Sequence, residues 1–302
     1  MLDEVLNGLN LRPDGFYVDC TFGRGGHSRA ILKALGSDGR LLVFDKDPAA
    51  IACAQSEFAD DKRLSCVRGS FTLLADEINQ RRRSGAVDGV LCDLGVSSPQ
   101  LDNAAYGFSF LRDGELDMRM DPDAGISAAE WINKADQKDI AKVLRGYGEE
   151  RFARRIATAI IKFREQTRLT STRQLARLIA QTVPFRDKKK DPATRSFLAI
   201  RIFINNELDE LHSVLKQITD ILRPGGRLVV ISFHSLEDRI VKRFMREQAS
   251  GDNYPPEIPV TADKLKPRCR IIGKATKPAA EEIDENPRSR SAVLRVMEKI
   301  AA

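Results

Sequence analysis

The feature that most constrains this chain is a break in its periodicity at Val18-Asp19-Cys20-Thr21-Phe22-Gly23-Arg24-Gly25-Gly26-His27-Ser28. The β-prone run from Phe16 to Cys20 gives way to a glycine-rich turn. Residues 28–35 (Ser-Arg-Ala-Ile-Leu-Lys-Ala-Leu) then have a helical period that Gly36 stops. Strand, glycine turn and helix is the order a nucleotide-binding loop requires. Gly23, Gly25 and Gly26 let the backbone take positive φ and approach a ligand closely. The free amides of the helix N-terminus face a carboxylate or phosphate.

The spacing departs from the dinucleotide fingerprint G-x-G-x-x-G, because Ser28 stands where the third glycine belongs and Asp19 lies just before the loop. The Asp19 carboxylate repels a pyrophosphate but suits a ligand carrying an ammonium and a sulfonium, so charge favours S-adenosylmethionine over NAD. Residues 40–44 read as a second strand ending in Asp45, 20 residues after Gly25. An acidic residue there binds ribose hydroxyls in doubly wound folds; the competing reading is that Asp45 or Asp47 caps a helix over 48–58. A third strand over 64–67 leads to Phe71, placed either to stack on an adenine or to fill the core, and then to a helix over 73–83. The fourth strand, 87–92, ends in Asp93. Alternating βα units put Gly25, Asp45, Phe71 and Asp93 at one carboxyl edge of a parallel sheet, where ligands bind.

From about residue 103 the pattern changes. A Gly- and Asp-rich stretch is followed by helices, including one with the apolar stripe Phe152, Ile156, Ile160 and Phe163, read as core. Residues 151–201 hold 14 Lys or Arg against 3 Asp or Glu, leaving 35 against 40 in the rest of the chain. Basic charge gathered in one segment points to a polyanionic partner. A basic loop is expected at 185–192. The α/β pattern resumes with a helix near 207–222 and an apolar strand over 227–231. After it, Ser235 and Asp238 have capping-box spacing for a helix to about Glu247. Residues 251–266 read as an exposed loop, and residues 292–298 as a final strand. The chain is thus expected to consist of a core at 1–102, an inserted helical substrate-recognition domain at 103–205, and the rest of the core at 206–302.

With 302 residues, 42% of them hydrophobic, the chain can bury a substantial core. Five scattered cysteines without C-x-x-C spacing read as reduced thiols, and three histidines without paired ligand spacing predict no metal site. No apolar run approaches the roughly 18 residues of a membrane span, and a cytoplasmic location is expected.

Several blocks together resemble the RsmH (MraW) family of S-adenosylmethionine-dependent methyltransferases, which modify N4 of a cytidine in small-subunit ribosomal RNA. They are Asp19-Cys-Thr-Phe-Gly-Arg-Gly-Gly-His-Ser28, Asp93-Leu-Gly-Val-Ser-Ser-Pro-Gln100, Gly107-Phe-Ser-Phe110, Leu116-Asp-Met-Arg-Met-Asp121 and Tyr147-Gly-Glu-Glu150. Pro192-Ala-Thr-Arg195, the run from Ile231 to Lys242, and Asn286-Pro-Arg-Ser-Arg-Ser291 complete the set.

The resemblance implies a Rossmann-like class I methyltransferase core with an inserted helical domain, acting on 16S rRNA near the decoding centre. Cofactor contacts are implied at Gly25, Gly26, His27, Asp45, Phe71, Asp93 and Gln100. Asp93, or a backbone carbonyl between Leu94 and Pro99, is expected to accept a hydrogen bond from the reacting amine. The basic insert, with Arg154, Arg155 and Lys188 to Lys190, is expected to hold RNA phosphates. The assembled subunit is the expected partner, with neither membrane nor DNA.

Two departures stand out. The chain opens at Met1-Leu2-Asp3-Glu4 where family members carry a His-x-Pro-Val-Leu-Leu type segment, an opening expected to weaken a cap over the site. Asp191 stands where they carry His. The rival readings are a non-catalytic ribosome-assembly factor, disfavoured by the intact loop with Asp45, and a DNA cytosine-N4 methyltransferase, disfavoured by the missing Asp/Asn-Pro-Pro-aromatic signature.

Overall fold

Residues 41–44, Leu-Leu-Val-Phe, form a continuous apolar run because both of their faces are buried, as in a parallel strand covered by helices on each side. The computed structural model describes residues 1–184, 191–251 and 266–301. Its strands are β1 (Phe16–Asp19), β2 (Arg40–Asp45), β3 (Leu64–Arg68), β4 (Val87–Asp93), β5 (Leu222–Ser232), β6 (Cys269–Thr276) and β7 (Val293–Lys299). They form one sheet in the order β3-β2-β1-β4-β5-β7-β6. The first five are parallel, and β7 runs antiparallel to both β5 and β6. The order reverses between β1 and β4, and that reversal opens the crevice where doubly wound sheets take ligands. This is the Rossmann-like arrangement that the sequence led us to expect.

The chain divides into two compact units, Met1–Gly95 with Leu208–Ala302, and Val96–Glu207. The helices are α1 (Leu2–Leu9), α2 (Gly26–Ala34), α3 (Pro48–Glu57), α4 (Leu74–Gln80), α5 (Ser98–Asp102), α6 (Ala128–Lys134) and α7 (Gln137–Gly148). They continue with α8 (Ala153–Arg164), α9 (Thr172–Thr182), α10 (Thr194–Ile204), α11 (Glu207–Ile221), α12 (Ser235–Ser250) and α13 (Ala280–Glu285). The first boundary falls before the expected residue 103, because α5 contributes Leu101 to the core of the helical unit.

In the discontinuous unit, α1, α2 and α3 bury Val5, Leu9, Ile31, Leu32, Ala50 and Ala54 on one face of the sheet. On the other face α4, α11 and α12 bury Leu74, Ile78, Leu211, Val214, Leu215, Val241 and Met245. Helix α1 lies so close to the sheet that a Cβ on Gly8 would meet methyl carbons of Val229 and Val296 at 3.0 and 3.1 Å. Besides the short helices α5 and α13, two elements that cover the sheet or form its edge escaped the sequence reading. Helix α1 is one, although Leu2, Val5, Leu6 and Leu9 have helical spacing. The edge strand β6 is the other: it is mostly exposed and interrupted by Arg270 and Lys274, so it lacks an apolar signal.

The expected cap of α12 is off by one residue. His234 is the N-cap and Glu237 its partner, with Glu237 Oε2 accepting the backbone N–H groups of Phe233 (2.8 Å) and His234 (3.3 Å). Asp238 instead takes a bidentate bond from Arg295, at 2.7 and 3.0 Å. No helix among the described residues is long and apolar enough to cross a membrane.

The helical unit packs α6 to α10 around Trp131, Ile140, Leu144, Ile156, Ile160, Leu175, Phe197 and Ile200. The stripe on α8 is core, and Arg154, Arg155 and Lys162 on its other faces are exposed. The lysines at 188–190 lie outside the described residues.

Met118, fully buried, adopts a left-handed φ of 62°, a conformation that costs about 1–2 kcal/mol in a residue with a Cβ. The cost is met by satisfied backbone groups. Met118 donates its N–H to the Tyr106 carbonyl at 2.8 Å, and buried Asn205 donates Nδ2–H to the Met118 carbonyl at 2.7 Å while its Oδ1 accepts the Met120 N–H at 2.7 Å. Replacing Asn205 with Ala strips partners from these buried groups. The variant is expected to lose about 2–3 kcal/mol in urea unfolding; a loss below about 0.5 kcal/mol would show that Asn205 does not hold the turn.

Candidate active site

The three glycines of the loop have no side chains with which to hold it, so its shape depends in large part on what accepts its N–H groups. Two carboxylates do this. Asp19, only 1% exposed at the end of β1, accepts the Ser28 hydroxyl on Oδ2 (2.6 Å) and the Thr21 N–H on Oδ1 (3.1 Å). Asp45, at the end of β2, accepts the Gly23 N–H on Oδ2 (2.7 Å) and the Asp47 N–H on Oδ1 (2.9 Å). The Phe22 N–H also bonds to the Phe44 carbonyl (2.9 Å), so the loop is laced to β2.

Burial raises both carboxyls above the usual range. For Asp19 the Ser28 hydroxyl bond offsets part of the shift; for Asp45 the bonds from Asp47 and Gly23 do so, leaving it at about 6. The sequence placed the Asp19 charge toward a cationic ligand. The structure corrects this: Asp19 is inside, and it ties the loop to α2. It also separates the two readings at the end of β2. Asp47 caps α3, accepting the Ala49 N–H at 2.8 Å, and Asp45 serves the loop.

Gly23 and Gly25 take positive φ, of 56° and 72°. A Cβ on Gly25 would stand 2.7 Å from the Phe22 ring, whereas one on Gly26, at the start of α2, would meet nothing within 4 Å. Gly25 is thus required by the loop. Gly26 leaves a methyl-sized gap that the fold does not use.

Thr21 joins the loop to β4, its hydroxyl accepting the Asp93 N–H at 2.8 Å. His27, in the first turn of α2, sets Nε2 3.5 Å from Asp93 Oδ2. Burial alone would lower the imidazole pKa, but the bond to Asp93 and the charges of Asp93 and Asp19 outweigh it and the net shift is upward. The Asp93 Oδ1 and His27 Nδ1 atoms are both buried and have no hydrogen-bond partner among the described residues. An orphaned carboxylate oxygen is costly, and such groups concentrate where a ligand completes them.

Phe71 opens the short turn Phe71–Leu73 after β3 and is half-buried, packed against the core of that face. The structure therefore brings together Gly25, Gly26, His27, Asp45, Phe71 and Asp93 on the carboxyl edge of the sheet. Gln100 belongs to the helical unit. It is buried there, and its side-chain oxygen accepts the Ser97 N–H at 2.9 Å in the capping box of α5. Sequence reasoning passed over Thr21 and Ser28; their signal was a hydroxyl on each flank of the glycines.

Comparison with known proteins places this edge in a family. The model of the MraW methylase family matches residues 1–300. The chain belongs to that family. Among solved structures, the methylase is similar in fold to an rRNA methylase of Streptococcus thermophilus, with 11% identity, 99% of this chain and 93% of that one covered, and a TM-score of 0.43. It is similar also to SMU.1697c of Streptococcus mutans, assigned as a methyltransferase and solved in complex with SAH, with 11% identity, 99% and 98% coverage, and a TM-score of 0.44. Likeness of that degree says nothing about chemistry, which rests on the family and on the site itself.

The two adjacent glycines provide a test of the loop. Gly25→Ala is expected to cost at least about 2 kcal/mol, through its positive φ and the collision with Phe22. Gly26→Ala should stay within about 1 kcal/mol of the parent, on the stable side. Thermal unfolding of the pair measures the difference, and equal losses would contradict the assignment.

Proposed function

We propose that this methylase transfers a methyl group from S-adenosylmethionine to N4 of a cytidine in small-subunit (16S) ribosomal RNA near the decoding centre, acting on the assembled subunit rather than naked RNA. The observation that carries the reading is the buried, unpartnered Oδ1 of Asp93 beside His27, at the edge organised by the glycine loop. Family membership supports methyl transfer.

The residues present fit the cofactor. Gly26 leaves space for close approach to the backbone, and each Asp45 oxygen keeps a lone pair beyond its one N–H partner, available to a ribose hydroxyl. Phe71 offers part of a ring face to an adenine. His27 and Asp93 bring unpartnered polar atoms to the same edge. When bound, S-adenosylmethionine supplies an electrophilic methyl group on a sulfonium.

The chain's own contribution is orientation. The lone pair of a cytosine amine is delocalised into the ring, so N4 attacks only when that amine is turned and held. Asp93 Oδ1 accepts an N4–H, drawing density toward nitrogen and fixing its direction. His27, donating to Oδ2, keeps the carboxylate from rotating away. No strong base is needed, because the methylated amine is acidic and gives up its proton readily. The exposed arginines of the helical unit, Arg154 and Arg155 among them, hold phosphates without reading sequence.

Transfer of labelled methyl to small subunits from cells lacking the protein, with naked rRNA and DNA alongside, tests the reading. N4-methylcytidine on subunits is expected, and Asp93→Ala should abolish it at saturating cofactor. Near-normal turnover by that variant, or methylated DNA in place of RNA, would overturn the assignment.

The Asp45 carboxyl gives a second expectation. Ribose hydroxyls donate to the ionised form, so cofactor affinity should level off about a unit above pH 6, be roughly halved at pH 6, and fall by up to about tenfold per unit at lower pH. Calorimetric titration across pH 5–8 reads this. A flat profile would exclude Asp45 as the ribose acceptor.

A further inference from the structure

The helical unit carries a cavity of about 280 Å³ between the C-terminal turns of α8 and the outer face of α9. Phe163 and Leu178 are its apolar lining, and Arg173, Arg177, Gln181 and Asp113 are among its polar lining. Its charges are unevenly committed. Asp113 accepts the Arg173 backbone N–H at 3.2 Å, and Arg173, Ser171 and Gly114 hold its carboxyl below the usual range. Nearby Arg164 is spent on the carbonyls of Ile132 and Ala135, at 2.8 and 2.7 Å. Arg177, by contrast, has no hydrogen bond or ion pair among the described residues, and it lies one helical turn from Arg173 on the same face. Two like charges at that spacing repel, and an anion between them removes the cost.

The cavity thus joins two arginines, of which Arg177 has no partner among the described residues, a half-buried aromatic ring and a carboxylate. These are the three groups that hold an unstacked nucleotide, through its phosphate, its base face and an amino group on its base edge. We infer that this groove binds one splayed nucleotide of single-stranded RNA, with Arg173 and Arg177 on the phosphate and Phe163 under the base. The inference rests on the RNA-directed reading above and deepens it: the helical unit grips the strand at a built pocket as well as by diffuse charge. None of these residues belongs to the carboxyl edge of the sheet, so RNA grip and methyl transfer are separable by mutation.

The test uses the full chain and a fluorescent single-stranded RNA 12-mer, followed by anisotropy between 50 and 300 mM KCl, with methyl transfer and cofactor binding measured in parallel. Each phosphate contact on a single strand contributes about 0.7 to the slope of log affinity against log salt. Arg173→Gln with Arg177→Gln should therefore lower the slope by about 1.4 and weaken binding on the order of 20-fold near 0.1 M salt. Phe163→Leu should weaken it several-fold with the slope unchanged, because stacking releases no counterions. In transfer assays the double variant should raise KM for the RNA substrate and leave kcat and cofactor affinity as they were.

Unchanged binding and KM in the double variant, with the parent active on RNA, would overturn the groove and leave the functional reading standing. If the parent transfers no methyl to any RNA, the functional reading falls, and oligonucleotide binding decides the groove alone: arginine-dependent binding upholds it, and arginine-independent or absent binding overturns it.

Discussion

Everything at the sheet edge depends on two carboxylates, one buried and one half-buried, accepting bonds from the glycine loop. Asp19 and Asp45 lie at the ends of adjacent parallel strands, and between them they fix Thr21, Gly23 and Ser28. A glycine-rich segment loses more conformational freedom on ordering than any other, so such anchors stand in for the missing side chains. With the loop fixed, Thr21 can reach the Asp93 N–H and His27 can stand over the Asp93 side chain. The reacting edge is therefore a relay of short contacts from β2 through β1 to β4.

That architecture makes the loop rigid and leaves its ligand-facing atoms incomplete. Asp19 is inside with both oxygens satisfied, while Asp93 retains a buried oxygen without a partner. The two aspartates, one at each central strand end, differ in this respect: Asp19 is buried with both oxygens bonded, whereas Asp93 is half-buried and its one buried oxygen has no partner among the described residues. In the helical unit Met118 is likewise held in a left-handed conformation by Asn205 and Tyr106.

Much of this was legible in the sequence. The parallel strands announce themselves because burial on both faces makes them continuously apolar, and the turns after them carry the acidic and glycine residues that the carboxyl edge uses. What failed did so for local reasons. Ser235 and His234 can both cap α12, and the choice fell to the pair that buries Glu237. Strand β6 is an exposed edge and has no reason to be apolar. The direction of the Asp19 side chain is set by the Ser28 hydroxyl nine residues on, a tertiary bond that no periodicity reports. The groove between α8 and α9 was hidden because Phe163 belongs to a stripe that is otherwise core.

The interruption of the sheet between β4 and β5 has a consequence during synthesis. Strand β4 bonds to β5 from Gly89 to Asp93, yet the matching residues, Arg227 to Ile231, are made more than 130 residues later. At about 5–20 residues per second, the inner edge of a half-built sheet waits roughly 7–28 s for its neighbour. The helical unit, whose residues are continuous in the chain, leaves the ribosome whole within that interval. A nascent chain of this design completes its inserted part before its catalytic part, and in the meantime it presents an apolar strand edge of the kind that holdase chaperones recognise.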